Sequence, residues 1–213
     1  MILLTGAKMP DRLDKHTLAS AVGLMFSNES NREYIEKIEN RADIPACESL
    51  FALALLYEQI LSLPCCIDTS SLVFERNAMG KPYFRGSDVK FNISHSRGYV
   101  ACAVSLGEEL GVDIEASDIS AERAIKLAQR YFCYDDLSTI YATPEKFARI
   151  WSEKEAKAKF FGDSLTNLLK KEKKIYENPG LNEITLHNFS YSGIPVTLCT
   201  KRKFSTICYY IQQ

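Results

Sequence analysis

The residues of this chain best suited to chemistry lie in two short segments about forty residues apart. The first runs through residues 91–96 (FNISHS) and ends at 111–115 (GVDIE), and the second is 151–159 (WSEKEAKAK). Together the segments supply three carboxylates of interest, one histidine and several lysines. If the fold brings the segments together, these groups can surround a metal-bound phosphate. The pattern therefore favours phosphoryl-group chemistry.

The first segment offers two of these carboxylates on one predicted strand. Asp113 and Glu115 are two positions apart, so their side chains leave the same face of the strand, with Cα atoms about 6 to 7 Å apart. Magnesium takes oxygen ligands and is usually held by one or two carboxylates together with substrate phosphates. The segment therefore suits a magnesium site, although a turn aspartate beside a solvated glutamate explains it more simply when it is taken alone.

The second segment is predicted to be a helix with an aromatic residue, an acid and a base on one stripe. Trp151, Glu155 and Lys159 follow each other at i, i+4 spacing, within about 80° of arc and along about 12 Å of helix. A surface ion pair between Glu155 and Lys159, contributing roughly 0.3 kcal/mol, also fits this spacing. Ala156 and Ala158 keep the neighbouring surface small, which favours a ligand that lies along the helix.

Further donors for a phosphate lie outside the acidic motifs. Ser94 and His95 follow a predicted strand at a chain reversal, and Lys81 lies between a glycine and a proline. A hydroxyl, an imidazole and an ammonium can all donate to a phosphate. A lone histidine is nevertheless more often structural. The sequence has no Ser-His-acid or Cys-His arrangement that would indicate a covalent nucleophile.

Composition and charge narrow the classes of function. The chain has 213 residues, of which 46% are hydrophobic and 25% charged, and this suits one domain or two small lobes. The net charge of −1 gives no overall basic field, so we expect no nucleic-acid partner and a purely local anion site. The N-terminal apolar run is too short for a signal peptide, and no segment reaches the roughly 20 apolar residues of a membrane span. We therefore expect no membrane association.

The cysteines indicate the compartment. There are seven of them, scattered and without C-x-x-C spacing, which disfavours a disulfide framework and a structural zinc site. A reducing cytoplasm is the simplest location. The adjacent Cys65 and Cys66 are expected to be buried, because free cysteine behaves as a small hydrophobic residue.

Hydrophobic periodicity and turn residues predict an order of elements that occurs twice, a helix followed by strands. Helices are predicted at 47–61, 121–131 and 145–161. Strands are predicted at 72–76, 89–93, 99–105, 111–114, 183–186, 196–200 and 204–210. The fold class is therefore predicted to be α+β with two similar lobes, an N-terminal lobe of residues 1–106 and a C-terminal lobe of residues 107–213 that carries the acidic motifs.

Three local features are also predicted. The strands at 99–105 and 111–114 are expected to form an antiparallel hairpin. Thr143 is expected to cap the helix at 145–161, with Pro144 at its first position, and Gly162 to end it. A lysine-rich patch at 170–174 follows.

Several motifs together resemble a known family. Residues 80–82 (GKP), 91–96, 111–115, 130–132 (RYF) and 151–159 occur in the order and near the spacing of the 4′-phosphopantetheinyl transferases. The chain closely resembles their larger single-chain type, which activates carrier proteins of peptide and polyketide synthesis. The resemblance implies two pseudo-symmetric α+β lobes with coenzyme A bound in the cleft between them.

The resemblance also implies roles for individual residues. Asp113, Glu115 and Glu155 would hold Mg²⁺, with Mn²⁺ as the alternative ion, at the pyrophosphate of coenzyme A. Lys159 would face the same pyrophosphate and stabilise the departing 3′,5′-ADP. The nucleotide end of coenzyme A, including its 3′-phosphate, would be held by Lys81, Ser94 and His95, with Lys154 as a weaker candidate.

The implied reaction is attack by a serine hydroxyl of an apo acyl or peptidyl carrier protein on the β-phosphorus of coenzyme A. Such chemistry depends on positioning and charge neutralisation. Glu155 is the favoured acceptor of the serine proton, directly or through a water. A single two-lobed chain needs no second subunit, so a monomer is expected. Two alternatives remain open, a metal-dependent phosphoesterase or nucleotidyl transferase, and a non-catalytic coenzyme A binding module.

The chain departs from the family pattern at two places. The family commonly carries a phosphate-binding arginine near the start of the N-terminal core helix, where residues 46–48 here read ACE. Arg41 is a candidate to replace it. The glycine-lysine-glycine turn after the second acidic motif is replaced by residues 162–164 (GDS), beside the expected position of the pantetheine arm. Neither departure removes a proposed metal ligand.

Overall fold

The computed structural model of the protein describes residues 1–173, 183–201 and 206–211. The strands in these residues are β1 (Ile2–Lys8), β2 (Phe74–Arg76), β3 (Pro82–Phe84), β4 (Val89–Ser96), β5 (Tyr99–Leu106), β6 (Leu110–Ile114), β7 (Ile184–Tyr191), β8 (Ile194–Lys201) and β9 (Ile207–Ile211). The helices are α1 (Lys15–Met25), α2 (Arg32–Glu39), α3 (Asp43–Leu61), α4 (Ala121–Tyr131), α5 (Tyr134–Ala142), α6 (Phe147–Phe161) and α7 (Leu165–Lys173).

Two sheets form the frame of the molecule. The first has the strand order β4-β5-β1-β9, in which only the pairing of β1 with β9 is parallel. The second has the order β6-β8-β7 and is antiparallel. Strands β2 and β3 form a separate two-stranded ribbon. Because β9 pairs with β1, the C-terminal strand completes the sheet of the N-terminal half.

Alternating side chains of the central strand β1 pack into two different clusters. Leu3 belongs to a cluster with α3 and its neighbours, whereas Ile2 and Leu4 belong to a cluster with the apolar residues of β6 and β8. Strand β5 alternates in the same way. Because successive side chains of a strand point to opposite faces, the first sheet is covered by α3 on one face and by the second sheet on the other.

Helix α3 is apolar around most of its circumference, and eleven of its residues are buried. By length and composition alone it could cross a membrane, contrary to the expectation from the sequence. Most of it is enclosed by the fold, which is the environment of a core helix in a folded domain.

The three predicted helices agree with the structure in type, and two of them differ at their starts. Helix α3 begins at Asp43, four residues before the predicted start, and α4 has the predicted bounds. Residues Pro144–Lys146 form a 3₁₀ turn before α6, and Gly162 ends that helix at a φ of 62°. The prediction of a Thr143 side-chain cap was wrong, because that side chain makes no capping hydrogen bond. Helices α1, α5 and α7 and strands β1 and β3 were not predicted.

The predicted hairpin between 99–105 and 111–114 was also wrong. Strand β5 pairs with β4 and β1, and β6 pairs with β8 in the other sheet. The chain leaves the first sheet at Gly107, where φ is 74°, and enters the second at Leu110. The alternation of apolar residues gives the buried face of a strand but not the strand with which it pairs. Residues 204 and 205 of the last predicted strand and Lys174 of the lysine patch lie outside the described residues.

The remaining fold predictions have different outcomes. The mixed α+β class is confirmed. The division at 106/107 stays a prediction. All seven cysteines are free, as expected, but Cys65 and Cys66 are exposed rather than buried. They follow the end of α3 in a stretch without regular structure, outside the core that their apolar character was expected to join.

Gly111 is the point where β6 and α6 approach most closely. A Cβ atom at this position would overlap the Ala156 carbonyl oxygen and the Phe160 backbone nitrogen of α6. Both partners are backbone atoms of a helix and cannot rotate away. The glycine of the GVDIE motif is therefore required by packing, because it lets the strand that carries Asp113 lie directly on the helix that carries Glu155.

We expect Gly111→Ala to lower the free energy of unfolding by about 3 kcal/mol, or to prevent folding, because the added methyl group has no free space. Urea unfolding followed by circular dichroism measures the change. The matched control is Gly23→Ala in α1, where a Cβ meets nothing within 4 Å. This control should be neutral or stabilising by up to about 1 kcal/mol, because alanine is the better helix former. Equal unfolding midpoints for Gly111→Ala and the parent would contradict the packing argument.

Candidate active site

The two acidic motifs and the FNISHS motif meet where β4, β6 and α6 contact one another. The Asn92 side chain of β4 accepts a hydrogen bond from the Val112 backbone N–H of β6 at 2.8 Å. Ser152 of α6 is buried and donates to the backbone carbonyl of Asp113 at 3.3 Å. The first contact joins β6 to β4 of the first sheet, and the second joins β6 to α6.

Asp113 is the centre of this meeting point. Its carboxylate is buried, and Oδ1 accepts hydrogen bonds from Ser94 Oγ at 2.8 Å and from Lys159 Nζ at 2.7 Å. Lys159 Nζ also lies 2.8 Å from Ser94 Oγ. The second oxygen, Asp113 Oδ2, is buried without a hydrogen-bond partner among the described residues. A buried carboxylate oxygen without a partner is costly unless a cation or a donor completes it.

The two glutamates predicted to act with Asp113 lie close enough to it for their charges to interact. Burial raises the pKa of the Glu155 carboxyl, and Asp113 and Glu115 raise it further, whereas the Lys159 ammonium opposes them. Burial and Asp113 likewise raise the pKa of Glu115. Ser96 donates to Glu115 Oε1 at 3.4 Å and also accepts the backbone N–H of Ala116. The structure thus brings three carboxylates together with one ammonium.

The donor set fits a hard cation, although the ligands are not yet arranged around one. Across residues 1–173, 183–201 and 206–211, no group of three His, Cys, Asp or Glu side chains has a geometry that could hold a metal ion. The Lys159 ammonium contacts the carboxylate that a cation would need. The unpartnered Asp113 Oδ2, together with the burial and the neighbouring carboxylates that raise both glutamate pKa values, nevertheless suits an oxygen-ligated Mg²⁺. The assignment of Asp113, Glu115 and Glu155 as metal ligands stays a prediction.

His95 lies beside this acidic region and contacts the start of α3. Its Nδ1 is 2.9 Å from Glu48 Oε2, and its Nε2 is 3.4 Å from Ser49 Oγ. Arg41 Nη1 donates to the same Ser49 oxygen at 3.3 Å. Arg41, which precedes α3, therefore lies close to His95. A residue that replaces the missing arginine of the family would have to lie there.

Lys81 is directed to the junction of the two sheets. Its ammonium contacts Glu109 Oε2 at 3.3 Å and the Leu110 carbonyl oxygen at 3.1 Å. Burial lowers the pKa of Lys81, and the Glu109 carboxylate opposes that effect. The side chain also lines a cavity of about 340 Å³ together with Phe160 and Gly162. Its predicted role in holding the nucleotide of coenzyme A stays a prediction.

Lys154 lies on a different face of α6 from Lys159. It is buried, and its ammonium lies 2.6 Å from Asp136 Oδ2 of α5 and 2.7 Å from Glu172 Oε2 of α7. Burial lowers its pKa, but the two carboxylates more than offset this, so the pKa lies above its ordinary value. Glu172 also pairs with Lys157 at 3.1 Å. The partners of Lys154 indicate that it fixes α6 to α5 and α7, and contact with coenzyme A remains only a prediction for it.

Trp151 and Phe132, which belong to two different motifs, pack in the same aromatic cluster. Trp151 was expected to anchor a ligand stripe, but its ring contacts Phe132 and Phe147, with centroids 6.0 and 5.5 Å away. Phe132 ends the RYF match, so this aromatic cluster explains why the two motifs occur together.

Five residues of the site were missed: Glu48, Ser49, Asn92, Ser96 and Ser152. Three of them belong to the quoted motifs, since Asn92 and Ser96 lie in FNISHS and Ser152 in the WSEKEAKAK run, and their polar character was the available signal. Glu48 was noted only as part of the stretch where the family carries an arginine, and its contacts could not be predicted because its partners are 47 and 50 residues away in the sequence.

We expect Lys154→Met to lower the free energy of unfolding by about 3 kcal/mol, because it removes one partner from two ion pairs. Glu172 would keep only its pair with Lys157, and Asp136 would lose its pair with α6. Urea unfolding at pH 7 measures the change. The matched control is Lys126→Met in α4, whose exposed i, i+4 pair with Glu122 should contribute less than about 0.5 kcal/mol. Similar losses in both variants would show that the buried contacts of Lys154 are not structural.

Comparison with known proteins agrees with this assembly of motifs. Residues 109–212 match the sequence model of the 4′-phosphopantetheinyl transferase superfamily. The chain is 27% identical over 173 residues to the 4′-phosphopantetheinyl transferase gsp of Aneurinibacillus migulanus, covering 78% of this chain and 68% of that protein. It is 30% identical over 118 residues to the 4′-phosphopantetheinyl transferase Sfp of Bacillus subtilis (53% of this chain, 51% of that protein).

A third relative extends the comparison to another group of bacteria. The 4′-phosphopantetheinyl transferase HetI of a Nostoc species is 30% identical over 115 residues, which cover 48% of this chain and 46% of that protein. The chain therefore spans about half the length of two of these relatives and about two thirds of the other. The matched region contains the β6 and α6 motifs around Asp113 and Glu155. By its sequence, just under half of the chain (residues 109–212) is thus similar to the 4′-phosphopantetheinyl transferase superfamily, and this part carries Asp113, Glu115 and Glu155 of the site.

Proposed function

We propose that this protein transfers the phosphopantetheine arm of coenzyme A to a serine of an apo acyl or peptidyl carrier protein and releases 3′,5′-ADP. The observation that carries the proposal is the buried Asp113 carboxylate, which contacts Ser94 and Lys159 through one oxygen and leaves the other without a partner. Glu115 and Glu155 complete an acidic cluster at the same point. The names of the relatives support the same activity.

Asp113, Glu115 and Glu155 are proposed to hold Mg²⁺, or Mn²⁺ in its place, at the pyrophosphate of coenzyme A. When bound, this ion would neutralise charge on the pyrophosphate oxygens. Lys159 belongs to the same step of the proposal. Its ammonium is held by Asp113 and Ser94, and in the presence of substrate it would donate to the pyrophosphate and stabilise the 3′,5′-ADP leaving group. Ser94 donates its hydroxyl hydrogen to Asp113, and it would be a further donor to the pyrophosphate once released from that carboxylate.

In the proposed reaction, the carrier serine oxygen forms a bond to the β-phosphorus. The bond from that phosphorus to the bridging oxygen breaks, and both electrons leave with 3′,5′-ADP. The serine proton passes to Glu155, directly or through a water. The protein contributes mainly by holding the serine oxygen and the β-phosphorus in the geometry that the reaction needs. No covalent intermediate with the enzyme is required.

The nucleotide end of coenzyme A is proposed to lie toward α3. His95, with Ser49 and Arg41 beside it, would contact the 3′-phosphate, and Lys81 would contribute from the junction of the sheets. The bound molecule would then extend between two pseudo-symmetric lobes, residues 1–106 and 107–213, of the larger single-chain type. Such a chain would act as a monomer.

The carrier protein is proposed to approach near α4 and the rim of the site. Acidic carrier helices would favour Arg123, Lys126 and Arg130, which lie on this helix. Carriers of fatty acid, polyketide and nonribosomal peptide synthesis are all candidates. The free cysteines and the absence of an overall basic field support a cytoplasmic enzyme without a nucleic-acid partner, and no membrane contact is proposed.

Incubation with coenzyme A, Mg²⁺ and a panel of apo carriers should increase the mass of at least one carrier by one phosphopantetheine group. Removal of divalent ions with a chelator should abolish the gain, and Mg²⁺ should restore it, because the acidic cluster then lacks its counter-charge. Intact-protein mass spectrometry measures both. Hydrolysis of coenzyme A without carrier modification would instead indicate a phosphoesterase, and binding without turnover would indicate a coenzyme A binding module.

We expect Asp113→Ala and Glu155→Ala each to reduce carrier modification below about one thousandth of the parent rate while the protein stays folded, because each removes a proposed metal ligand. Lys159→Ala should mainly lower kcat. The matched control is Glu153→Gln on the same helix, whose carboxylate instead contacts Asn188 and Arg149 and should be dispensable. Parent activity in Asp113→Ala or Glu155→Ala would overturn the ligand assignment, and an unchanged kcat in Lys159→Ala would remove that residue from the leaving-group role.

A further inference from the structure

We infer that Glu48 is a positioning residue that orients the His95 imidazole toward the 3′-phosphate of coenzyme A. The inference rests on the function proposed above and assigns a role to a carboxylate where the family commonly carries a cation. A buried acid beside a phosphate site is otherwise unfavourable, because it repels the ligand. Its contacts explain why it is tolerated there.

Both carboxylate oxygens of Glu48 have a fixed partner. Oε1 accepts the backbone N–H of Gly98 at 2.6 Å, and Oε2 lies 2.9 Å from His95 Nδ1. The Glu48 side chain is only 8% exposed, whereas that of His95 is 32% exposed. Gly98 belongs to the turn between β4 and β5 and has a φ of 79°. Glu48 therefore joins α3 both to that turn and to the imidazole, and the ring remains accessible to a ligand.

This contact determines which nitrogen of His95 can serve a ligand. With Nδ1–H donated to Glu48, the neutral ring has Nε2 as an acceptor, and only the imidazolium can donate from Nε2 to a phosphate oxygen. Nε2 lies on the side of Ser49, whose hydroxyl also accepts from Arg41. A phosphate at this point would therefore meet the imidazolium and the Arg41 guanidinium together.

Charges from three directions determine how readily His95 becomes protonated. Burial lowers the pKa of His95, Glu48 of α3 raises it, and Lys159 of α6 and Arg41 before α3 lower it. The negative charge of a bound phosphate would also raise the pKa of His95. Coenzyme A should thus bind best below the pKa of His95 in the complex and more weakly as the pH rises through it. Without the Glu48 charge, that weakening should begin at a lower pH.

The first test needs no ligand. The chain has only three histidines, so the ring ¹⁵N signals of His95 can be assigned by their loss in His95→Gln. In Glu48→Gln, the single amide oxygen can keep the Gly98 contact but then presents its NH₂ group to Nδ1. We expect the neutral ring to move to the Nε2–H tautomer and its pKa to fall. Glu39→Gln, which changes the exposed His16–Glu39 pair, is the matched control and should leave His95 unaffected. An unchanged His95 tautomer and pKa in Glu48→Gln would overturn the inference.

The second test compares coenzyme A with 3′-dephospho-coenzyme A as substrates of the parent and of Glu48→Gln. We expect the variant to raise KM for coenzyme A by about tenfold, as for the loss of a charged hydrogen bond, with kcat and the KM for the dephospho compound nearly unchanged. Equal effects on both compounds would show that Glu48 acts only on stability and would overturn the inference.

A double variant separates positioning from folding. Glu48→Gln combined with His95→Gln should have the same KM as His95→Gln alone, because Glu48 then has no imidazole to orient. Additive effects would contradict the inference. If the parent transfers nothing from either compound, the proposed function fails, while the ligand-free signals of His95 still report whether Glu48 holds the ring.

Discussion

The close contact of β6 with α6 at Gly111 is the constraint on which the site depends. Strand and helix backbones touch there because the strand residue has no side chain. Asp113 lies two residues further along β6, and Glu155 and Lys159 directly precede Ala156 and Phe160, the two helix residues at the contact. A carboxylate has a short side chain, so it can meet a group on a neighbouring element only if the two backbones lie close together. At an ordinary strand-to-helix distance of about 10 Å, these groups would be separated by a layer of apolar side chains.

At such a close contact, the buried polar groups of the backbone need hydrogen-bond partners. Ser152 donates to the Asp113 carbonyl and also lies 3.2 Å from Thr197 of β8, which in turn donates to Asn188 of β7. Asn92 supports β6 from the opposite sheet. On its other faces, α6 is held by the aromatic cluster of Trp151 and by the ion pairs of Lys154. The residues that make the site precise thus outnumber those proposed to touch a substrate.

The sequence predicted most of the elements around the site, because these depend on local patterns, whereas the resemblance to the family implied that the acidic residues meet. The D-x-E spacing grouped Asp113 with Glu115, although Glu115 is the residue that follows the end of β6 and not part of the strand. The i, i+4 spacing grouped Glu155 with Lys159. The sequence did not predict strand partners, because alternation says nothing of which sheet receives β6. Lys154 was grouped with the ligand-facing lysines although it is about 140° from Lys159 around the helix, and a helical projection would have separated them. The sequence marked the stretch that contains Glu48 as a departure from the family, but it could not predict the contacts of Glu48, because the Gly98 turn that it holds is fifty residues away.

The distribution of charge links the two ends of the site. At the acidic end, three carboxylates face one ammonium, so the region is left with excess negative charge that a divalent cation and not another lysine would balance. At the other end, Glu48 and protonated His95 together are neutral, and Arg41 supplies the excess positive charge. In the proposed function, the pyrophosphate of coenzyme A would lie at the end whose charge depends on a metal ion, and its 3′-phosphate at the end whose charge depends on a proton. The Lys159 ammonium lowers the pKa of both Glu155 and His95, so its charge acts on both ends of the site.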